Sequence, residues 1–296
     1  MRVINFGSLN VDHVYSVEQF VKPGETIASQ AYQKFVGGKG LNQSIALARA
    51  GATVSHAGSI GADGAMLRNV LMDDGVDVSS VFEVDQPSGH AIIQVDPAGE
   101  NCILLHGGAN QCNAPDMIDS VFDGADPGDM VLLQNEINDL PKIINHAAEK
   151  GLTIVFNPAP MSRDVLEYPL HNVDYLILNQ TEATALTLED NVSKALETLG
   201  EKYTNVKVIL TLGSEGAVYQ DTHQTICADA FPARAIDTTG AGDTFIGYFL
   251  AELACGASIA TCLKTACKAA SICVQRAGAS ASIPYKRELE ICGDQS

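Results

Sequence analysis

Along this chain, short runs of Val, Ile and Leu alternate with longer stretches whose apolar positions recur at three- and four-residue spacing. The short runs suit strands buried on both faces and the longer stretches suit crossover helices, so the alternation predicts a mainly parallel sheet of the α/β class. Strands are expected at Val3–Phe6, Val54–Ala57, Met130–Gln134, Thr153–Phe156, Tyr175–Leu178 and Val208–Thr211. Helices are expected at Asn42–Ala50, Ala65–Asp73, Leu140–Lys150, Asn191–Leu199, Asp243–Cys255 and Ser258–Val274.

Two segments break this rhythm. His13–Phe35 and His90–His106 read as strands with no helix between them, and Asp96-Pro97-Ala98-Gly99 lies between two apolar runs of the second segment as a hairpin signal. Both emerge beside the C-terminal end of an early strand, where open α/β sheets collect ligands. They are expected to pair into a small sheet that covers the crevice as a lid. With no repeat, low-complexity tract or linker in view, residues 1–296 read as one domain with lid segments at about 13–35 and 90–106. The last dozen residues are polar and expected to fray.

The net charge of −18 makes nucleic acid and anionic membranes poor partners. It also repels nucleotides, so a nucleotide site here needs local positive potential from backbone amides, a lysine or a metal ion. The apolar window Phe245–Cys262 is interrupted by Gly247, Glu252 and Gly256, which reads as a buried helix and not a membrane span. Eight cysteines (Cys102, Cys112, Cys227, Cys255, Cys262, Cys267, Cys273, Cys292) form no C-x-x-C pair. Together with an N-terminus lacking an export signal, they predict a soluble cytoplasmic protein with reduced thiols.

The sharpest chemical signal is Asp237-Thr238-Thr239-Gly240-Ala241-Gly242-Asp243-Thr244-Phe245, a glycine turn opening a long apolar helix. The unpaired amides of Gly240, Ala241 and Gly242 at such a helix start form an anion hole for phosphate oxygens. Asp243 at its mouth is the candidate base that takes a proton from an incoming hydroxyl. A simple helix cap is the ordinary alternative. Upstream, Gly37-Gly38-Lys39-Gly40 with Asn42-Gln43 lets backbone and amides approach a polyol, and Asn10 and Asp12 offer paired donors and acceptors for sugar hydroxyls. Taken singly, Asn10 and Asp12 fit a turn equally well, Lys39 a solvated amine, and Glu136 an exposed loop carboxylate.

Taken together, Gly37–Gln43 and Asp237–Asp243 resemble the two signatures of the ribokinase-like sugar kinase family, in order and spacing. The resemblance extends from Gly7–Asp12 through Asn157-Pro158-Ala159-Pro160 and Asn179-Gln180-Thr181-Glu182 to Ser282-Ile283-Pro284. It implies a ribokinase-like three-layer α/β/α fold with a mainly parallel central sheet and a small β-sheet lid. It implies an ATP-dependent kinase in which Asn10, Asp12, Gly38, Lys39, Asn42, Glu136 and Asp243 bind the sugar. ATP would lie on Asn179, Thr211, Gly213, Ser214, Gly216 and Gly242, with Glu182 near Mg2+ through water. Gln180 stands where the family often has Glu, a change beside the metal. A monovalent cation, K+, would sit on Asp237, Thr239, Cys273, Arg276, Gly278 and Ser282.

The matching sugar residues favour a pentose such as ribose, phosphorylated at its terminal hydroxyl. Deoxyribose, fructose, keto-sugar acids and nucleosides remain as substrates of similar kinases, and a non-catalytic sugar or nucleotide sensor remains on the same scaffold. Lys39 is followed by Gly40, so no P-loop is present, and G-x-G-x-x-G, H-E-x-x-H and G-x-S-x-G are absent. The exposed edge expected of a lid suits pairing of two lids into a homodimer.

Overall fold

The computed structural model describes residues 1–291. Its elements run β1 (Val3–Phe6), β2 (Asn10–Ser16), β3 (Ala31–Gly37), α1 (Lys39–Arg49), β4 (Val54–Ile60), α2 (Ala65–Asp73) and β5 (Asp77–Glu83). There follow β6 (Gly89–Val95), β7 (Asn101–His106), α3 (Pro115–Asp123), β8 (Met130–Gln134), α4 (Leu140–Glu149), β9 (Thr153–Asn157), β10 (Tyr175–Asn179) and α5 (Gln180–Thr187). The chain closes with α6 (Val192–Lys202), β11 (Lys207–Thr211), β12 (Ala217–Gln220), β13 (Thr225–Ala228), α7 (Ala241–Ala254), α8 (Ile259–Cys273) and α9 (Lys286–Ile291).

Nine strands form one sheet in the order β13-β12-β11-β10-β9-β8-β1-β4-β5. It is parallel from β5 to β11, and among its described strands only β12 is reversed, pairing antiparallel with β11 and with β13. Alternation along each central strand divides the core. Val3, Leu132, Val155, Ile177 and Ile209 pack towards α1, α7 and α8, while Ile4, Leu133, Phe156, Leu178 and Leu210 pack on the opposite face with α3, α4 and α6. The three-layer α/β/α architecture expected from the sequence is the one observed.

The two segments that broke the rhythm form a separate four-stranded sheet, β3-β2-β6-β7. The Asp96–Gly99 turn joins β6 to β7 as an antiparallel hairpin, with Asp96 Oδ1 accepting from the amides of Ala98 and Glu100. Asn10 and Asp12 are not on a turn: they open β2, and the two-residue period sets both on one face.

Helix α1 begins three residues before the expected Asn42. Gly38, at φ +95°, turns the chain straight from β3 into the helix, and a Cβ there would press on Ser8 O at 3.0 Å and Asn10 N at 3.1 Å. Helix α7 likewise starts at Ala241, before Asp243, because Gly240 at φ +77° supplies the entry turn. Of the C-terminal segment expected to fray, Lys286–Ile291 is helical and residues 292–296, with Cys292, lie outside the described residues. No helix among the described residues is long and apolar enough to cross a membrane.

Candidate active site

The register brings polar strand ends to one edge of the large sheet: Gln134 pairs with Asn157, and Asn179 with Thr211. Helices α1 and α7 meet above this edge. Asp243, only 8% exposed, receives a hydrogen bond on each carboxylate oxygen, from Asn42 Nδ2 to Oδ2 at 3.0 Å and from Gln43 Nε2 to Oδ1 at 2.8 Å. The two motifs that were about 200 residues apart in sequence are in direct contact.

In the glycine turn, Ala241 N donates to Thr238 O at 3.2 Å, so that amide is already engaged. The amides of Gly242 and Asp243 meet no protein acceptor among the described residues and lie at the positive end of a 14-residue helix. Nothing lies within 4 Å of a Cβ built on Gly242, which therefore faces open space.

That space is a cavity of ≈ 230 Å³ lined by Lys39, Asn179, Glu182, Gly240, Gly242 and Asp243. A larger cavity of ≈ 540 Å³ adjoins it, sharing Thr211, Thr238 and Gly242 and running past Gly213, Ser214 and Gly216 to apolar walls at Phe231, Pro232, Cys267 and Val274. Those last four residues were missed by sequence reasoning. The stretch around Phe231 follows neither period, so its only signal was a short apolar cluster outside any element.

On the other side of Asp243, Gly37 has no side chain where a Cβ would collide with the Asp12 carboxylate. Asn10 Oδ1 accepts from Asn110 Nδ2 at 2.7 Å, and Asn110 Oδ1 in turn accepts from Leu9 N at 2.9 Å. Glu136, in the loop after β8, accepts from Ser8 Oγ and, at 3.1 Å, from Lys39 N. Burial pushes Glu136 above the usual carboxylate range against the pull of Ser8 and Lys39. Burial together with the neighbouring Glu136 charge pushes Asp12 up to about 6. Desolvation lowers the proton affinity of the Lys39 amine, but Asp243, Glu136 and Glu182 outweigh it, and the group is held above its ordinary value as a cation.

The N-x-x-E element is a capping box at the start of α5. Glu182 N donates to Asn179 Oδ1 at 2.9 Å, and Glu182 Oε2 accepts from Asn179 N at 2.9 Å. Burial raises Glu182 above its ordinary value, opposed by the Asn179 amide and Lys39. One pinned carboxylate on the wall of a cavity beside open amides suits Mg2+ that keeps most of its water and is shared with phosphates. Among the described residues no group of three or more His, Cys, Asp or Glu side chains is placed to hold a metal ion.

The residues considered for K+ also come together. Asp237 accepts from Thr239 N and Gly278 N, both at 2.9 Å, and these bonds hold it below the usual carboxylate range in spite of partial burial. Cys273 Sγ lies 3.0 Å from Ser282 Oγ and 3.9 Å from Thr239 O. The Arg276 guanidinium turns away to Glu288, leaving only backbone at that position for a cation.

The raised Asp12 has a cost that can be measured. Between about pH 4, where an unfolded Asp titrates, and about 6, where the folded one does, the native state keeps a proton that the unfolded state releases. Stability of the ligand-free protein therefore falls as pH rises through that window. Asp12→Asn should be more stable than the parent at about pH 8, by roughly 1–3 kcal/mol, and no more stable at about pH 4. Urea melts at the two pH values check this, and equal stability at both would remove the claim that the charge is strained.

The chain is similar to known proteins over most of its length. Residues 2–286 match the model of the pfkB family carbohydrate kinase. The chain is 35% identical to ribokinase of Staphylococcus aureus over 97% of this chain and 98% of that protein. Against the bifunctional ribokinase/ribose-5-phosphate isomerase A of Fructilactobacillus sanfranciscensis it is also 35% identical, over 97% of this chain but 55% of that protein. The structure of Arabidopsis thaliana ribokinase complexed with ribose and ATP superposes with a TM-score of 0.88 at 29% identity, covering 99% of each chain. With its fold, its two signatures in contact and these likenesses over nearly its whole length, the chain belongs to the pfkB family of carbohydrate kinases.

Proposed function

We propose that this kinase transfers the γ-phosphoryl group of ATP to the terminal hydroxyl of ribose, giving ribose 5-phosphate and ADP. The observation that carries the reading is Asp243. Its carboxylate is held by two amides at the meeting point of a nucleotide-sized cavity, a polyol-like set of side chains and two open backbone amides. The likeness to ribokinases supports ribose as the sugar.

Asn10, Asp12, Gly38, Lys39, Asn42 and Glu136 would hold the sugar. Asn42 Oδ1 is buried without a hydrogen-bond partner among the described residues, and a sugar hydroxyl is a donor that would satisfy it. ATP would extend from the apolar walls near Phe231 and Val274, past Thr211, Gly213, Ser214 and Gly216, to Asn179 and Gly242. Glu182, through water, would hold Mg2+ beside the phosphates, where its charge would offset part of theirs.

Asp243 takes the hydroxyl proton as the sugar oxygen forms its bond to the γ-phosphorus and the bond to the bridging oxygen of ADP breaks. The Gly242 and Asp243 amides, with those of Gly240 and Ala241 once the Ala241–Thr238 bond opens, hold the charge on the equatorial oxygens. Lys39, charged between the sugar side and Glu182, offsets the repulsion that a chain of net charge −18 exerts on ATP. Asp237, Thr239, Cys273, Arg276, Gly278 and Ser282 would hold K+, largely through backbone oxygens, and its charge would support binding of anions at the neighbouring turn.

Residues 1–296 act as one domain in this reading, and the small sheet is its lid. Asp12 on that sheet would close over the sugar and exclude water that would otherwise hydrolyse ATP. The outer strands β3 and β7 expose Phe35, Ile103, Leu104 and Leu105, an apolar edge suited to a second lid in a homodimer. A cytoplasmic location suits the exposed free thiols of Cys102, Cys227 and Cys255.

The test is ADP release by the purified protein with MgATP and ribose, 2-deoxyribose, fructose or adenosine, each with and without K+. Selective turnover of ribose, faster with K+, is expected; preference for another acceptor overturns ribose, and no response to K+ overturns the cation site. The same preparation should sediment as a dimer at micromolar concentration, and a monomer there refutes lid pairing. Gly242→Ala, whose methyl would enter the phosphate space without touching protein, should melt like the parent yet lose at least about tenfold in kcat/KM for MgATP. Unchanged kinetics would show that phosphate does not approach this turn.

A further inference from the structure

Gln43 lies beside Asn42 in the first motif but is not among the residues proposed to touch sugar or nucleotide. It is fully buried, at 0% exposure, and both its nitrogen and its oxygen are hydrogen-bonded. Nε2 donates to Asp243 Oδ1 at 2.8 Å and to Asn157 Oδ1 at 3.4 Å, while Oε1 accepts from Gln134 Nε2 at 2.7 Å.

The Asn157 and Gln134 branches each lead back to a group that can only accept. Asn157 Nδ2 donates to the carbonyl of Ile177 at 2.9 Å, which turns Asn157 Oδ1 towards Gln43. On the other branch, His56 Nε2 faces the carbonyl of Gly7 at 3.2 Å and must carry the ring proton. Its Nδ1 then accepts from Ser44 Oγ at 2.8 Å. The Ser44 oxygen accepts from Asn5 Nδ2 at 2.8 Å, and Asn5 Oδ1 accepts from Gln134 Nε2 at 2.9 Å.

Both branches end at Gln43 and require the same orientation of its amide. Were it reversed, Oε1 would face Asp243 Oδ1 and Asn157 Oδ1, three acceptors with no proton among them. A buried mismatch of that kind costs on the order of 1–3 kcal/mol for each unsatisfied group. The members are neutral: burial pushes the His56 imidazolium down to about 4, so the ring is uncharged at ordinary pH. Asn5, His56, Gln134 and Asn157 stand on four adjacent strands, so the network is fixed to the rigid centre of the sheet.

We propose that Gln43 is a positioning residue for phosphoryl transfer: through a one-way hydrogen-bond network anchored at the carbonyls of Gly7 and Ile177, it holds the Asp243 carboxylate at the angle needed to take the sugar proton. The proposal rests on Asp243 being the base. A carboxylate gripped only by Asn42 can rotate, and misplacement of a reacting group by about 1 Å can cost about 100-fold.

Steady-state kinetics of Gln43→Leu, Asp243→Asn and the double variant test it. Gln43→Leu should lower kcat about 10- to 100-fold, with KM for sugar and MgATP within about threefold of the parent. In the Asp243→Asn background the same change should have almost no further effect, because its action passes through the missing carboxylate. Equal losses in both backgrounds, or an unchanged kcat, would overturn the positioning role while leaving the base assignment standing. If Asp243→Asn itself keeps parental turnover, the base assignment falls first. Should Gln43→Leu give no folded protein, Gln134→Leu decides, since it removes the donor to Gln43 Oε1 without touching Asp243. A fall in kcat of at least about threefold at unchanged KM supports the proposal, and an unchanged kcat overturns it.

Discussion

Everything in the site depends on how closely α7 can approach α1. Asn and Gln side chains are short, and they reach Asp243 only because the two helices nearly touch. Gly247 makes this possible: a Cβ there would sit 2.8 Å from the backbone carbon of Ala46. The same economy recurs at Gly40, whose missing side chain lets α1 rest on the end of β1 at Gly7 and Ser8. Small residues at two interfaces thus bring a helix start, a signature turn and a strand end within hydrogen-bond reach, and the large apolar side chains behind them make the arrangement rigid.

The electrostatics of the ligand-free site are poised and not relaxed. Asp12, Glu136 and Glu182 are all held above their ordinary range by burial, and Lys39 is charged among acidic neighbours. Among the described residues, Asn42 Oδ1 lacks a partner and two amides of α7 have no acceptor. Such features destabilise an empty protein and are relieved by a ligand that brings hydroxyl donors and phosphate acceptors, which is the pattern expected where function overrides stability. The proposed roles of sugar and ATP correspond to these unsatisfied groups.

Much of this was legible in the chain. Strands such as Met130–Gln134, buried on both faces, read as continuous apolar runs, and the contact between the signatures was implicit in their shared chemistry. Strands β5 and β13 were not legible, because they lie at the sheet edges, where burial is partial and patterning is weak, and β12, although buried, is only four residues long. The starts of α1 and α7 were misplaced by glycines whose positive φ is a property of the fold and not of local composition. Asn5, His56 and Gln134 gave a faint signal, polar groups inside apolar strands, but their linkage spans 12 to 129 residues and appears only when the sheet is assembled.

The central claim is that Asp243 performs proton removal while the surrounding residues bind and orient. Substituting Asn for Asp243 keeps the shape and removes the acceptor for the proton, so the measurement to make is kcat beside the separately determined Kd for ribose and for MgATP in that variant. The account requires both Kd values to stay within a few-fold of the parent and kcat to fall by at least about 100-fold. Retention of a tenth of the parental kcat with both ligands bound would contradict it.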